Sequence, residues 1–166
     1  MNHLSHDSET KAAGQQVFTA CAFIHQKIDG VEKVFMPKRS TNRKFLPGVF
    51  EIPGGHIDFG EDLIVGLKRE IKEETAKDIS VGDPFFVFTY VNEVKESHSI
   101  EVIFFAKFTD SSQKVIIDPE KHSEFKWFSE NDISEIIESG KNESDPEIEA
   151  IKKGFALLKG SSLNFE

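Results

Sequence analysis

The segment that decides the fold is GHIDFGEDLIVGLKREIKEETAK, residues 55–77. Its apolar side chains recur at spacings of three and four, at Leu63, Ile64, Leu67 and Ile71. This spacing predicts an amphipathic helix over residues 62–75, with one face buried against the rest of the protein.

Three carboxylates share another face of the predicted helix, because Glu70, Glu73 and Glu74 lie three and four positions apart. Each pair of like charges would cost roughly 0.2–0.5 kcal/mol on an exposed helix. Carboxylate oxygens suit Mg²⁺ and Mn²⁺, which also bridge to substrate phosphates. The segment therefore predicts a platform for a divalent cation. The alternative is a solvated face on which the interleaved Lys and Arg residues balance the acids.

Residues 55–77 resemble the Nudix box, Gly-x5-Glu-x7-Arg-Glu-U-x-Glu-Glu-x-Gly-U with U a bulky aliphatic residue, of the Nudix hydrolases. The resemblance implies an α+β fold, a Nudix-like α/β/α sandwich with a mixed β-sheet. Two positions depart from the pattern: Ala76 stands where the family has Gly, and Lys77 where it has an aliphatic residue. Because Gly normally caps the end of such a helix, we expect an altered helix exit and a modest loss of stability.

The resemblance also implies an activity: divalent-metal-dependent hydrolysis of a pyrophosphate bond in a nucleoside diphosphate linked to another moiety. A nucleoside triphosphate or a nucleoside diphosphate sugar would be the substrate, and Mg²⁺, with Mn²⁺ as a possibility, the cofactor. Attack on a pyrophosphate needs neutralised phosphate oxygens and a deprotonated water, and metal ions supply both. The alternative is a catalytically silent Nudix-like module that binds a nucleotide and regulates a partner. The three intact glutamates favour the enzyme.

Individual roles follow from the resemblance. Glu73 and Glu74 are expected to be the principal metal ligands, and Glu70 a further ligand or the general base. The backbone carbonyl of Gly55 resembles another metal ligand. Arg69 resembles the arginine that orients a neighbouring glutamate through a charge-assisted pair, and so belongs to the catalytic set.

The family often adds an acidic residue from a loop that precedes a strand containing Trp. Here Glu120 and Glu124 both precede Trp127, and either is a candidate to bind a metal or activate water. The alternative for each is an exposed loop acid. Within the box, Glu61 is expected to brace the loop before the helix or to lie behind the metal ligands without binding the ion itself.

Two residues outside the box are candidates for substrate binding. Arg39 belongs to a basic cluster, residues 38–44, that could steer a polyphosphate toward the metals, or be a solvated loop. Tyr90 lies on a predicted strand, where it could stack on a base, although aromatic residues on strands more often belong to the core. The sequence leaves the base and the leaving group open.

Composition limits the partners and the compartment. The 166 residues carry a formal charge of −9, which disfavours binding to a nucleic acid polymer or an anionic membrane. Cys21 is the only cysteine and residues 1–16 lack the features of a secretory signal, so we expect a cytoplasmic protein. A single domain over residues 16–166 is predicted after a flexible tail over residues 1–15.

The remaining pattern predicts strands before and after the box helix, followed by two more helices. The expected elements are a hairpin of residues 17–24 and 32–36, an irregular segment 37–56, a hairpin of residues 85–94 and 99–108, a strand 125–128, and helices 131–139 and 146–158. The apolar face of the last helix packs on the core or, in a homodimer, on a second subunit.

Overall fold

The computed structural model describes residues 7–160. Within this range the elements follow in the order β1 (Gln16–Ile28), β2 (Val31–Arg39), β3 (Gly54–His56), α1 (Leu63–Thr75), β4 (Ile79–Asn92), β5 (Ser97–Phe108), β6 (His122–Phe128), α2 (Ile133–Glu138) and α3 (Pro146–Leu158). A 3-10 turn, Glu130–Asp132, precedes α2. No helix in the described range is long and apolar enough to cross a membrane.

The strands form one mixed sheet in the order β4-β5-β1-β2-β6, and β3 pairs with β1 beside this path. Strand β1 is parallel to β5 and antiparallel to both β2 and β3. Its first half pairs with β3 and its last residues pair with β2, so the short strand β3 occupies the edge that β2 leaves open. This arrangement confirms the predicted α+β class with a mixed sheet.

Helices cover both faces of the sheet because successive residues of β1 point to opposite sides. Ala20, Ala22 and Ile24 pack in one cluster with Leu67 and Ile71 of α1. On the other side, Cys21 and Phe23 pack in a second cluster with the apolar residues of α2 and α3, among them Ile136, Ile148, Ile151 and Phe155. The apolar face of α3 is therefore buried in the core of its own chain.

The box helix begins and ends close to the predicted positions. Asp62 is the N-cap residue, and its carboxylate accepts hydrogen bonds from the backbone N–H groups of Ile64 and Val65, both at 3.0 Å. At the other end Ala76 adopts the left-handed conformation, with φ 57°, and donates its N–H to the carbonyl of Lys72. The expected alteration of the helix exit is therefore wrong, because Ala76 takes the conformation that a capping Gly would take.

Lys77 occupies the second departing position in the box and is nevertheless buried. Its Nζ donates to the carbonyl of Gln113 at 2.8 Å and lies 4.3 Å from the ring centroid of Phe108. The aliphatic stem of the lysine thus fills space where the family has an apolar residue, while the ammonium is satisfied by a carbonyl and an aromatic face.

Both predicted hairpins are present, and their strands are longer than expected. β1 and β2 are joined at Asp29 and Gly30, which both have positive φ, as a two-residue hairpin turn requires. The predicted irregular segment 37–56 contains the end of β2 and all of β3. The predicted helix over residues 131–139 divides into the 3-10 turn and α2.

The predicted flexible tail, residues 1–15, is only partly covered, because residues 1–6 lie outside the described residues. Residues 7–15 contact the β4–β5 hairpin. Lys95 is buried, and its Nζ donates to the carbonyls of Asp7 and Thr10, both at 3.0 Å. The side chain of Asn92 donates to the carbonyl of Ser8 at 2.9 Å. Since these contacts use backbone carbonyls, the polar sequence of the segment gave no sign of them.

Candidate active site

A cavity of about 310 Å³ lies beside the box helix. Residues of β1, β3, β4, β5 and α1 line it, together with the loop after β2, the start of β6 and the start of α3. Its acidic lining residues are Asp7, Glu51, Glu70, Glu74, Glu101, Asp145 and Glu147, and its Lys and Arg residues are Arg39, Arg43, Lys121 and Lys141. The cavity therefore concentrates carboxylates at the junction of the sheet and the box helix.

Two of the three box glutamates face the interior. Glu70 and Glu74 lie one helical turn apart on α1, and they are only 2% and 5% exposed. Glu74 accepts a hydrogen bond from the N–H of Gly54 at 3.2 Å. Burial raises the pKa of Glu70 despite the opposing effects of Arg69 and Lys121, and it raises the pKa of Glu74 to about 8 despite those of His122 and Lys121. Glu73 lies on the outer side, with its side chain 50% exposed.

The glycines of β3 allow the sheet and the helix to approach closely. A Cβ on Gly55 would lie 2.5 Å from Oε2 of Glu70, so only glycine leaves room for this carboxylate. At Gly54, φ is 151° and a Cβ would lie 2.1 Å from the carbonyl oxygen of Ala20. The glycine pair thus fixes β3 against β1 on one side and against Glu70 on the other.

Arg69 connects the box loop to the box helix. Its Nε and Nη2 donate to the two carboxylate oxygens of Glu61, each at 2.9 Å, and Nη2 also donates to the carbonyl of His56 at 3.1 Å. Its Nη1 donates to Oε1 of Glu70 at 2.9 Å. Glu61 and Arg69 therefore fix the loop between β3 and α1 and hold one oxygen of Glu70.

The donor set of this region fits a hard cation. Lys121 projects between two box carboxylates, with its Nζ 3.9 Å from Glu70 and 4.0 Å from Glu73. A buried acid with a raised pKa, Glu74, lies nearby and has no ion pair within residues 7–160. In the described range no three Asp, Glu, His or Cys side chains converge as a formed metal site. Binding a cation would therefore require Lys121 to withdraw from the carboxylates.

A second cluster braces the cavity at the end of β2. Nη1 of Arg39 lies 3.2 and 3.1 Å from the two oxygens of Glu51, and Nε2 of His122 lies 2.9 Å from Oε1 of Glu51. Burial alone would raise the pKa of Glu51, but the charge of Arg39 and the hydrogen bond with His122 lower it to about 2. For His122, burial disfavours the charged imidazole, whereas the hydrogen bond and charge of Glu51 favour it. The net effect raises the pKa of His122.

The predicted basic cluster does not form one surface. Arg39 lines the cavity and is occupied by Glu51 and by the carbonyl of Phe45, to which its Nε donates at 2.8 Å. Arg43 also lines the cavity and pairs with Glu9 at 3.2 Å. Lys38 points away from both and pairs with Glu124 at 3.2 Å.

The acids predicted before Trp127 do not line the cavity. Glu120 is exposed, and Glu124 is exposed and paired with Lys38. The register of β2 and β6 shifts between Lys38 and Arg39, so Arg39 lies opposite His122 rather than opposite Ser123. This bulge turns His122 into the cavity and leaves Glu124 on the other side. The loop thus contributes Lys121 and His122 to the cavity wall.

Tyr90 lies at the cavity wall, where its ring stacks on Phe45 with centroids 6.1 Å apart and planes inclined by 16°. Glu101, which the sequence did not single out, lies on the cavity floor and is 8% exposed. Burial raises the pKa of Glu101 to about 8. Alternation along the strand could have indicated that Glu101 is buried, because every second residue of β5 shares its buried face. These residues are Ser97, Ser99, Glu101 and Ile103.

Further cavity residues were missed, among them Glu51, Lys121, His122, Lys141 and Glu147. Lys141, which precedes α3, forms a buried ion pair with Glu147 in the first turn of that helix. Glu147 also accepts a hydrogen bond from the backbone N–H of Ile52. These residues lie in loops and at element ends, where no periodicity indicates which side chains turn inward.

Comparison with known proteins gives matches along most of the chain. The family model for the NUDIX domain matches residues 18–150. The chain is 37% identical over 62 residues to the m7GpppN-mRNA hydrolase NUDT17 of Xenopus laevis, a match to 37% of this chain and 20% of the relative. It is 31% identical over 81 residues to the ADP-ribose pyrophosphatase of Methanocaldococcus jannaschii, a match to 46% of this chain and 47% of the relative. The chain thus aligns with less than half of either relative.

Among solved structures, the fold is similar to that of a C. elegans Ap4A hydrolase binary complex. The TM-score is 0.69 at 23% identity, and the match covers 87% of this chain and 99% of the other. At this level of identity the likeness concerns the fold alone.

Proposed function

We propose, from the premise that this chain belongs to the NUDIX domain family, that it is a pyrophosphohydrolase which depends on a divalent metal ion. The bond cleaved would be the pyrophosphate bond of a nucleoside diphosphate linked to another moiety. The observation that carries the proposal is the pair of buried carboxylates, Glu70 and Glu74, beside the glycine pair in the same cavity. Buried carboxylates are costly unless positive partners, a cation or a proton neutralise them, and within residues 7–160 Glu74 has no ion-pair partner.

The box residues would hold the ion. Glu73 and Glu74 are the proposed principal ligands, with the carbonyl of Gly55 and a carboxylate oxygen of Glu70 as further donors. When bound, Mg²⁺ or Mn²⁺ would neutralise phosphate oxygens and lower the pKa of a coordinated water. These donors are all oxygen atoms, the kind that both ions prefer.

Arg69 and Glu70 would act together on the attacking water. The hydrogen bond from Arg69 to Oε1 fixes the orientation of the Glu70 carboxylate, while Oε2 faces Gly55 and Lys121. As general base, Glu70 would take the proton of the water on this second oxygen. Lys121, released from the carboxylates, would counter the charge of the substrate phosphates.

The other cavity residues would position the nucleotide. Tyr90 offers an aromatic face on which a base could stack. Arg39 would act through Glu51 and His122, because its guanidinium is already engaged by the protein. Glu120, which is exposed, stays a candidate if the loop before β6 moves toward the cavity, whereas Glu124 would reach it only through a change in the pairing of β6 with β2.

The proposed substrate is a soluble nucleoside triphosphate or nucleoside diphosphate sugar. The names of the similar proteins refer to an mRNA cap, ADP-ribose and Ap4A, each of which contains a nucleoside diphosphate linked to another group. The charge of −9 favours a small nucleotide over a nucleic acid polymer as substrate. A cytoplasmic location is part of the same proposal, as is a homodimer that uses a surface other than the apolar face of α3, which is buried in its own chain.

The test is product chromatography on the purified protein with Mg²⁺ or Mn²⁺. The panel contains nucleoside triphosphates, nucleoside diphosphate sugars, ADP-ribose and dinucleoside polyphosphates. We expect metal-dependent cleavage of one class, and losses of at least about 100-fold in Glu73→Gln and Glu74→Gln, as for loss of a directly acting catalytic group. Glu149→Gln, an exposed acid on α3, is the matched control and should keep full activity.

Unchanged activity in both variants would overturn the metal assignment. A protein that cleaves nothing in the panel, yet gains thermal stability from a nucleotide, would support the alternative of a silent nucleotide-binding module instead.

A further inference from the structure

Glu101 is a buried acid that the proposed hydrolytic chemistry does not use. It lies on β5, on the cavity floor, while the box glutamates project from α1. No Lys, Arg or His of residues 7–160 lies within ion-pair distance of its carboxylate. The hydroxyl Oγ1 of Thr19 is 3.5 Å from Oε2 and also lies 3.3 Å from the carbonyl of Ile100, and the thiol of Cys21 is a further, weak donor to the carboxylate.

A carboxylate in this position retains most of its capacity to accept hydrogen bonds. Its two oxygens have about four acceptor sites, and the Thr19 hydroxyl has one hydrogen shared between two acceptors. Burying an acceptor without donors costs free energy, and that cost is recovered if a ligand brings the donors. Glu101 thus marks a point in the cavity that suits hydrogen-bond donors of a ligand.

The surroundings of Glu101 suit a flat ligand. Across the sheet, Thr19 of β1, Glu101 of β5 and Phe88 of β4 are direct neighbours in register and share one face. Tyr90, two positions along β4 from Phe88, stacks on Phe45 at the same cavity wall. An aromatic ring system bound along this wall would present its edge to the sheet floor, where the carboxylate lies.

The same cavity extends to the proposed hydrolytic site. Gly55 and Glu74 line it together with Glu101, and its volume of about 310 Å³ lies at the lower end of small-ligand pockets. A nucleotide can therefore place its phosphates near the box glutamates and its base over β5.

We propose that Glu101 determines base specificity by accepting two hydrogen bonds from the amino edge of a guanine. The proposal rests on the proposed function in so far as the ligand is a nucleotide. Guanine carries a ring N–H and an exocyclic amine side by side, and these two donors match the two carboxylate oxygens. Adenine and cytosine offer one amine beside an acceptor, and uracil has no exocyclic amine. Guanine therefore fits the ionised carboxylate best, and its two donors would lower the pKa of Glu101 from the value of about 8 that burial gives it.

The test compares GDP with IDP, which differ only in the exocyclic amine of the base. Binding is measured by isothermal titration calorimetry, with and without Mg²⁺, so that the result does not depend on turnover. One lost hydrogen bond to a charged group should weaken IDP binding by about 10-fold in the wild-type protein. In Glu101→Gln, which replaces one acceptor oxygen by a donor, the two nucleotides should bind within about 2-fold of each other.

Glu93→Gln, an exposed acid in the turn between β4 and β5, is the control and should keep the wild-type preference. Thermal unfolding of Glu101→Gln should show an unchanged or raised Tm, because a neutral amide is easier to bury than a carboxylate without positive partners. A lowered Tm with an unchanged GDP to IDP ratio would identify Glu101 as a structural acid.

Equal binding of GDP and IDP by the wild-type protein, preference for ADP or UDP, or no binding of GDP at millimolar concentration would each overturn the proposal. The two proposals fail separately. If the protein prefers GDP through Glu101 but hydrolyses no nucleotide, the proposed enzymatic activity is wrong and the proposed base site stands. If it hydrolyses nucleotides without this preference, the enzymatic activity stands and the base site is wrong.

Discussion

Arg69 holds Glu61 by two parallel hydrogen bonds, from Nε and Nη2 to the two carboxylate oxygens, each 2.9 Å long. The remaining donors of the same guanidinium reach Glu70 and the carbonyl of His56. One side chain therefore fixes the loop between β3 and α1 together with a cavity carboxylate. Glu61 precedes the helix and Arg69 lies in its middle, so the pair joins the loop to the body of α1.

Arg69→Lys should therefore reduce stability and activity together. A lysine ammonium cannot make the planar two-bond pair with Glu61 while also holding Glu70. We expect a loss of about 1–3 kcal/mol in the free energy of unfolding, the range for hydrogen bonds to charged groups, measured by urea denaturation. Lys68→Arg, at the exposed neighbouring position, should change neither property. A wild-type unfolding curve for Arg69→Lys would contradict this role.

Substitutions at the glycine pair should separate folding from catalysis. Gly55→Ala places a methyl group 2.5 Å from the Glu70 carboxylate, which can move away, so activity should fall by about 100-fold, as displacement of a catalytic group by an ångström does. Gly54→Ala instead meets a backbone carbonyl at 2.1 Å with φ at 151°, so the protein should lose roughly 1–3 kcal/mol from the backbone conformation alone.

Gly82→Ala is the control for both substitutions, since a Cβ there would be 3.5 Å from its nearest neighbour and φ is unstrained. Thermal unfolding and turnover of the three variants should be measured side by side. Full activity of Gly55→Ala would show that Glu70 need not lie against β3.

Ala76→Gly should stabilise the protein. Ala76 has φ 57°, a conformation that costs an L-residue about 1 kcal/mol and glycine almost nothing. The gain should be about 0.5–1 kcal/mol after the larger unfolded-state entropy of glycine is included, and urea denaturation measures it. Ala156→Gly, inside α3, should have the opposite sign. Destabilisation by Ala76→Gly would mean that the left-handed cap is not strained.

Glu51 should make stability depend on acid pH. Its pKa is lowered from 4.5 to about 2 by Arg39 and His122, so its contribution is complete above pH 4.5 and is lost as the pH falls toward 2. A pKa lowered by this amount corresponds to about 3 kcal/mol. Glu51→Gln should therefore be destabilised at pH 7, and the difference from wild type should shrink by pH 3.5.

The measurement for Glu51 is urea denaturation of both proteins at pH 7, 5 and 3.5. Glu138→Gln, which changes an exposed acid on α2, should differ little from wild type at any of these values. A difference between Glu51→Gln and wild type that does not change with pH would show that the loss is one of packing rather than of charge.

Lys95→Met should release the N-terminal segment. The buried ammonium donates to the carbonyls of Asp7 and Thr10, and without it these groups lose their partner. We expect a loss of about 1–3 kcal/mol in unfolding free energy and faster cleavage after Glu9 by a glutamate-specific protease. Lys107→Met, an exposed position on β5, is the control. Equal cleavage rates in both variants would refute this anchoring role.

The sequence by itself determined the features that depend on neighbours along the chain. The spacing of Leu63, Leu67 and Ile71 predicted α1 and its buried face, and the structure adds that Asp62 is its N-cap residue. The same spacing predicted one shared face for Glu70, Glu73 and Glu74, but only Glu70 and Glu74 turn inward and Glu73 lies on the outer side. The prediction of the helix succeeded because helix periodicity acts within one or two turns.

Only the tertiary structure decided which distant side chains complete the cavity. Glu51, Glu101 and His122 are far apart in sequence: Glu51 lies in the loop between β2 and β3, whereas Glu101 and His122 reach the cavity through sheet register. A single bulge between Lys38 and Arg39 reverses the faces of β6, so the cavity receives His122 while Glu124 points away. A one-residue shift in register moves every side chain of a strand to the other face of the sheet. Because register depends on pairing between strands, local sequence cannot determine which face a side chain occupies.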